Sequence, residues 1–194
     1  MLFAPRLHRM SLPKPYYAHD GIVIYHGDCA DVLPYLTAEA VISDPPYGVG
    51  VKYGAGFDDK RSDYWEWFKL RLQLMRKAAP VVVFTHKVKA MQQLTDWDWI
   101  GAWIKPFSAG SRLGNSPVLP HWEPIFLYGI HTIGTAEHFT SDVYSFAPQR
   151  SGNMRASFSN RESWKNSAGN EHPVPKPVDL YRSLIVAFGG GACA

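Results

Sequence analysis

The sequence predicts an α/β fold, in which a mostly parallel β-sheet carries helices on both faces. Short apolar runs typical of buried strands occur at residues 40–43 and 81–85. Between them, residues 64–79 place apolar side chains at spacings of three and four, which indicates an amphipathic helix. A second helical pattern covers residues 177–188, with Pro at its start. Strands that alternate with helices are typical of a parallel sheet covered on both sides.

The segments between these four predict smaller elements of the same fold. A β-branched run over residues 21–28 ends in Gly-Asp and indicates a strand followed by a turn. We expect further strands at residues 97–105 and 125–128, one or two helical turns at 30–36, a short helix at 88–94, and loops at 49–60 and 108–120.

Length and composition favour one globular domain. The chain has 194 residues, of which 46% are hydrophobic, so it can bury a substantial core. Its net charge of +3 is compatible with a nucleic-acid partner without requiring one. Two cysteines do not form a disulfide framework, and no apolar run reaches the length of a membrane span. We therefore expect a cytoplasmic setting and no membrane partner.

The most informative segment is residues 40–48, which read AVISDPPYG. The Asp44-Pro45-Pro46-Tyr47 tetrapeptide has a chance occurrence of roughly one in a thousand in a chain of this length. Ligands of open α/β sheets bind at the carboxyl ends of strands, and both Asp28 and Asp44 are expected to follow strands there.

Asp44-Pro45-Pro46-Tyr47 resembles the catalytic motif of the amino-group DNA methyltransferases. These enzymes move a methyl group from S-adenosylmethionine to an exocyclic base nitrogen, which is N6 of adenine or N4 of cytosine. The resemblance implies a Rossmann-like methyltransferase fold, S-adenosylmethionine as the cofactor and double-stranded DNA as the partner. An Asp at the first position is more similar to the adenine-modifying members, with N4-cytosine as the alternative.

The chemistry of such an amine explains why these residue types are required. Its lone pair is delocalised into the ring, and two acceptors on the N–H side favour the pyramidal form that can attack a methyl group. Asp44 offers a carboxylate and Pro45 a carbonyl, on a backbone that two prolines hold extended. Tyr47 offers a flat face to a base that has left the duplex, and such stacking contributes about 1–3 kcal/mol. The alternative interpretation is that the tetrapeptide forms only a turn after a strand.

Two further segments extend the resemblance. The segment around Gly27-Asp28 looks like the family's Gly-Asp segment, whose Asp lies on the cofactor side of the pocket. Residues 172–177 read HPVPKP and are similar to the family's His-Pro-x-x-Lys-Pro signature. The resemblance thus implies a cofactor site of Asp28, Asp44, His172 and Lys176. The order of the motifs resembles the circularly permuted class and disfavours methyltransferases that act on protein glutamine or ribosomal RNA.

The same resemblance divides the single domain into three regions. Residues 17–130 correspond to the catalytic half, residues 131–171 to a target-recognition insert, and residues 172–194 to the start of the cofactor half. Candidate DNA contacts in the insert are Arg150, Arg155, Arg161 and Lys165. The solubility of a polar loop explains this composition about as well.

The sequence departs from the family's pattern after the second predicted helix. The family continues to a strand that ends in Asp-Pro-Phe-x-Gly-x-Gly-Thr, whereas residues 189–191 are indicative of a helix stop. We therefore expect a fold incomplete at its C-terminus. Three explanations remain open: an incomplete or frameshifted copy, an inactive DNA-binding remnant, or an enzyme whose cofactor half is completed by a second chain.

Overall fold

A five-stranded β-sheet is the centre of the molecule. The structure is a computed structural model that describes residues 11–50, 59–106, 121–130, 140–147 and 176–189. The strands of the sheet, in spatial order, are β3 (Ala40–Ser43), β4 (Val81–Thr85), β6 (Trp122–Tyr128), β5 (Trp99–Ile104) and β7 (Val143–Ser145).

The predicted α/β class is confirmed, and the sheet is mixed in direction. β3 runs parallel to β4, and β5 runs parallel to β7. β6 lies antiparallel to both β4 and β5. The helix between β3 and β4 provides the crossover that a parallel pair requires. The sequence between β5 and β6 has no helical period, and these two strands pair antiparallel.

The two helices cover opposite faces of the sheet, as predicted. α1 (Tyr64–Ala78) packs on one face and α2 (Val178–Phe188) on the other. Alternate residues of β4 point to the two sides, since Val82 packs with the α1 cluster and Val83 with the α2 cluster. β4 is buried throughout its length because both of its faces are covered.

The predicted apolar face of each helix is largely the buried one. In α1, the buried side chains are Tyr64, Phe68, Leu72, Met75 and Ala78. In α2, Leu180 and Leu184 are fully buried, and Phe188 is buried with them. Ala187 is partly buried and packs against the same cluster.

The N-terminal strand prediction is wrong in its placement. β1 (Tyr17–His19) and β2 (Ile22–Ile24) form an antiparallel hairpin that is separate from the five-stranded sheet. β2 ends four residues before Asp28, so Asp28 does not follow a strand of the main sheet. All six hairpin residues are exposed, and the apolar run therefore reflects strand pairing rather than burial in the sheet.

Several other boundaries differ from expectation. Residues 88–92 form a 3-10 turn instead of an α-helix, and the segment 30–36 contains two 3-10 turns. β6 begins at Trp122, three residues before its predicted start. The prediction began after Pro124, because Pro usually argues against a strand interior, but β6 includes this residue. β7 lies in the segment assigned to a recognition insert and has only three residues, too few to show a period.

Among the residues that the structure describes, no helix has the length and apolar character needed to cross a membrane.

The α2 face of the core gives a direct test of this packing. Leu184→Ala should lower the free energy of unfolding by about 2–5 kcal/mol, because the side chain is fully buried between α2 and the sheet. Ile185→Ala, whose side chain is 42% exposed on the same helix, should change it by less than about 0.5 kcal/mol. Urea denaturation of both variants measures this difference. Equal losses would contradict the assigned helix face.

Candidate functional site

The site begins where β3 and β4 end side by side. Parallel pairing places Ser43, the last residue of β3, opposite Phe84, so Asp44, which follows β3, lies beside Thr85, the last residue of β4. The Thr85 hydroxyl donates to the Asp44 carboxylate at 3.0 Å. Asp44 is an exposed residue, whereas Thr85 is fully buried. A rigid buried donor thus orients a carboxylate that solvent can reach.

A tyrosine of α2 supports this pair from the other face of the sheet. The Tyr181 hydroxyl lies 3.2 Å from the Thr85 hydroxyl and 3.3 Å from the Ser43 carbonyl, to which it donates. Thr85 gives its single proton to Asp44, so the single Tyr181 proton is shared between the Ser43 carbonyl and the Thr85 oxygen. Burial, with the nearby Asp44 carboxylate, raises the pKa of Tyr181, which therefore remains a hydroxyl donor.

Lys176, predicted from the His-Pro-x-x-Lys-Pro resemblance, lies at the same site. Its ammonium is 3.8 Å from a carboxylate oxygen of Asp44 and 2.9 Å from one of Glu123. It also lies 4.4 Å from the centroid of the Tyr47 ring. The structure thus brings together the two ends of the predicted site, which are far apart in the sequence.

Glu123 is the centre of a largely buried ionic cluster. One carboxylate oxygen accepts from Lys105, and the other accepts from Lys176 and from the Tyr47 hydroxyl. Burial alone would raise the pKa of this carboxyl, but the two ammonium groups outweigh burial and lower it. Glu123 is therefore an anion at neutral pH.

The Tyr47 ring is more enclosed than the sequence predicted. One face stacks on the His86 imidazole, with centroids 4.8 Å apart and planes 10° from parallel. Its hydroxyl donates to Glu123 at 2.7 Å. Burial, then the charges of Glu123 and Asp44, raises the pKa of Tyr47 well above its usual range. Tyr47 is thus a neutral aromatic platform whose orientation is fixed at both its ring and its hydroxyl.

His86 is a fully buried histidine that the sequence analysis did not single out. Its Nδ1 accepts from the Lys87 backbone N–H at 2.8 Å, so its proton is on Nε2. Nε2 lies 2.8 Å from the Tyr64 hydroxyl, which donates in turn to the Pro46 carbonyl. Burial, followed by the charge of Lys87, lowers the pKa of His86 to about 3, which keeps the ring neutral. This relay fixes the backbone of the Asp-Pro-Pro-Tyr segment.

Asp59 holds the loop that follows the motif. Its buried carboxylate accepts from the backbone N–H groups of Gly48, Val49 and Gly50 at 2.7–2.8 Å. Gly48 and Gly50 have positive φ values of 65° and 86°, a conformation that glycine adopts without strain. Successive N–H groups in such a turn form a concave anion site, and here a side chain of the same chain fills it.

Asp28 occupies a different environment from Asp44. Its carboxylate caps the 3-10 turn at Cys29–Asp31 through the Ala30 N–H and pairs with Arg71 of α1 at 2.8 Å. These contacts give Asp28 a structural role at the α1 side, whereas Asp44 contacts Thr85 and Lys176. The proposed cofactor role of Asp28 stays a prediction.

The remaining predicted site residues are Pro45, which the structure describes, and five residues that it does not describe. Pro45 is buried directly after Asp44, as a fixed backbone carbonyl requires. His172, Arg150, Arg155, Arg161 and Lys165 lie outside the described residues.

The residues that sequence reasoning missed come from several other parts of the chain. Thr85 ends a buried strand and His86 follows it, and the rule that singled out Asp44 would have included them. Glu123, the second residue of β6, and Lys105, which follows β5, could have been suspected as charged residues in or beside strands rich in aromatic side chains. Tyr64 and Asp59 gave no signal in the sequence, because their contacts depend on the path of the loop after Gly48.

Comparison with known proteins supports the fold assignment. The structure is similar to the solved PvuII DNA methyltransferase (cytosine-N4-specific), with a TM-score of 0.58 and 14% sequence identity, over 90% of this chain and 73% of that chain. The chain has the S-adenosylmethionine-dependent methyltransferase fold. A solved M1.HpyAVI-SAM complex has a TM-score of 0.46 and 16% identity, over 86% of this chain and 76% of that chain. No protein-family model matches the chain, and no curated protein matches it.

Asp44 and Lys176 present charges of opposite sign at the edge of the sheet where β3 and β4 end. Among the described residues, no group of three or more His, Cys, Asp or Glu side chains could hold a metal. The Asp44 carboxylate is accessible, and the Lys176 ammonium lies close to it. A zwitterionic amino-acid group with a sulfonium centre offers a cation to Asp44 and a carboxylate to a lysine, so the two side chains fit S-adenosylmethionine.

The Tyr64 relay predicts a measurable loss of stability. Tyr64→Phe should lower the free energy of unfolding by about 1–3 kcal/mol, because it leaves the Pro46 carbonyl and the His86 Nε2–H without their partner. The matched control is Tyr16→Phe, since the Tyr16 side chain is 77% exposed. Chemical denaturation of both variants tests the relay, and equal stabilities for the two variants would refute it.

The neutral state of His86 predicts a pH dependence. As pH falls below the ordinary histidine pKa of 6.5, the unfolded chain takes up a proton that the folded chain accepts only near pH 3. The contribution of His86 to stability is therefore complete above pH 6.5 and declines toward pH 3, by at most about 1.4 kcal/mol per pH unit. His86→Gln should flatten the pH dependence of unfolding between pH 6 and 4. An unchanged slope in His86→Gln would contradict the assignment.

Proposed function

We propose that this chain is a DNA methyltransferase that transfers a methyl group from S-adenosylmethionine to the exocyclic amine of a flipped base. The base proposed is adenine, with the reaction at N6. The observation that carries the proposal is the meeting of Asp44 and Lys176 at the edge of the sheet where β3 and β4 end. These residues belong to two separate motifs, and their meeting is what a shared site for base and cofactor requires.

The carboxylate of Asp44 is prepared to accept a hydrogen bond from an amine. Thr85 orients it, and the Lys176 ammonium stabilises its negative charge from 3.8 Å. The Pro46 carbonyl is engaged by Tyr64, so that bond belongs to the scaffold. We assign the second acceptor to the Pro45 carbonyl, which precedes the anchored residue. Together the two acceptors favour the pyramidal amine whose lone pair points away from the ring.

Tyr47 supports the base in this proposal. Its ring is held by the His86 stack and by the hydrogen bond to Glu123, so it needs little ordering when a base binds. In this proposal the base stacks on the face opposite His86, beside the Lys176 ammonium, which lies 4.4 Å from the ring centroid. Stacking contributes about 1–3 kcal/mol, which offsets part of the cost of unstacking the base from the duplex.

S-adenosylmethionine supplies an electrophilic methyl group when it is bound. We assign its binding to Asp44 and Lys176, with Asp28 and His172 as the further residues that the motif resemblance implies. The candidate contacts to double-stranded DNA are Arg150, Arg155, Arg161 and Lys165, which remain predictions from the sequence.

The first residue of the motif is the argument for adenine. An acidic Asp44 is more similar to the adenine-modifying members of the family than to those that modify cytosine. N4-cytosine uses the same acceptors and is the alternative outcome. An inactive DNA-binding remnant is the alternative from another class.

Transfer of a labelled methyl group to mixed-sequence DNA tests the proposal. The purified chain should label adenine. Asp44→Asn should reduce the rate about 100-fold or more, because the amide replaces one carboxylate oxygen by an NH2 donor and removes the negative charge. Asp20→Asn is the matched control: its side chain is 82% exposed, and Asn tolerates the positive φ of 48° at that position.

The identity of the labelled nucleoside separates the alternatives. Label in N4-methylcytosine would replace the base assignment and keep the reaction. A folded chain that binds DNA without transferring label would favour the remnant. Equal activity of Asp44→Asn and Asp20→Asn would overturn the role of Asp44.

A further inference from the structure

Two lysines and two carboxylates meet beside the Tyr47 ring. Lys105 follows β5, Glu123 lies in β6, and Lys176 precedes α2. The side chains of these three are 12%, 15% and 11% exposed, so water screens their charges poorly. The Asp44 side chain is 32% exposed, which makes it the more accessible of the two carboxylates.

The Lys176 ammonium lies closer to the Glu123 carboxylate than to the Asp44 carboxylate. Its ammonium is within hydrogen-bond distance of Glu123, at 2.9 Å, but 3.8 Å from Asp44. At 3.8 Å the ammonium still stabilises the Asp44 anion without donating a hydrogen bond to it. A lysine that moved about 1 Å closer would compete with a substrate amine for the Asp44 oxygens.

We propose that Glu123 is a positioning residue that holds the Lys176 ammonium back from Asp44 and so preserves Asp44 as an acceptor for the substrate amine. Lys105 neutralises the second oxygen of Glu123, which makes a permanent anion tolerable at this buried position. The hydroxyl of Tyr47 donates to the same Glu123 oxygen as Lys176, so the platform and the ammonium are fixed by one group. This inference rests on the proposed function, because it assigns a role within the same site.

Glu123→Gln removes the charge of this side chain while it keeps the size and an oxygen for the Tyr47 hydroxyl. Among the residues that the structure describes, Asp44 is the carboxylate nearest to Lys176 in that variant, and the ammonium should move to it. We expect kcat to fall about tenfold, with the KM for DNA unchanged within about twofold, because the lost acceptor matters in the transition state rather than in DNA binding.

A double-mutant cycle separates positioning from simple structural damage. In the Lys176→Met background, Glu123→Gln should change kcat by less than about twofold, since the ammonium that it releases is gone. A tenfold loss in both backgrounds, or no loss in either, would overturn the proposal.

An unfolding cycle tests the same restraint without any need for activity. The effects of Asp44→Asn and Lys176→Met on Tm should couple weakly while Glu123 is present, because the ammonium stabilises Asp44 from 3.8 Å without a hydrogen bond, and this coupling is the reference for the next comparison. In the Glu123→Gln background they should deviate from additivity by about 2–4 °C, because Asp44 and Lys176 now form a direct pair. Equal coupling in both backgrounds would overturn the proposal. A chain that shows the predicted coupling but transfers no methyl group would refute the proposed function alone.

Charge balance provides a second background in case Glu123→Gln does not fold. When Glu123→Gln is combined with Lys105→Met, Lys176 is the single ammonium group left in the cluster, whereas Glu123→Gln alone leaves both Lys105 and Lys176. Both cycles are then repeated with Lys105→Met in every variant, and the same outcomes decide between restraint and damage.

Discussion

The parallel register between β3 and β4 is the constraint on which the site depends. It aligns Ala40 with Val81 and Ser43 with Phe84, so Asp44, directly after β3, lies beside Thr85 at the end of β4. A shift of one residue would turn the side chains of β3 to the opposite faces and separate the carboxylate from its hydroxyl donor. Burial of β4 on both faces fixes this register, because a shifted strand would lose contact with both helices at once. The packing of the core thus determines the geometry of the chemistry.

The site combines buried neutral groups with less buried charged ones. His86 and Tyr181 are held neutral by burial. Tyr64 and Tyr181 donate to backbone carbonyls, while His86 contacts the Tyr64 hydroxyl and Tyr181 contacts the Thr85 hydroxyl. The charges of Glu123 and Lys176 are compensated within one cluster. This division explains how Asp44 remains an accessible carboxylate in an aromatic environment. The neutral groups set its position and the charged groups stabilise its negative charge.

The sequence predicted the local features of this protein better than its long-range contacts. Helix α1, strand β4 and the placement of Asp44 at a strand end follow from periodicity and burial, which nearby residues determine. Glu123 could not be linked to Tyr47 and Lys176 in the same way, since their meeting depends on the order of strands in the sheet. Asp28 shows the converse error: a β-branched run suggested a strand of the main sheet, but the run pairs within a local hairpin. Short strands such as β7 carry too few residues for any period to be read.

The measurement that tests the central claim most directly is the effect of S-adenosylmethionine on the melting temperature of the purified chain. A ligand that binds the native state alone must stabilise it, by about 2.7 kcal/mol at a hundredfold excess over Kd. For a domain of this size, the account predicts a rise in Tm of about 5 °C or more, with a smaller rise for Lys176→Met at the same concentration. A folded chain whose melting temperature is unaffected by S-adenosylmethionine would contradict the claim that Asp44 and Lys176 form a cofactor site.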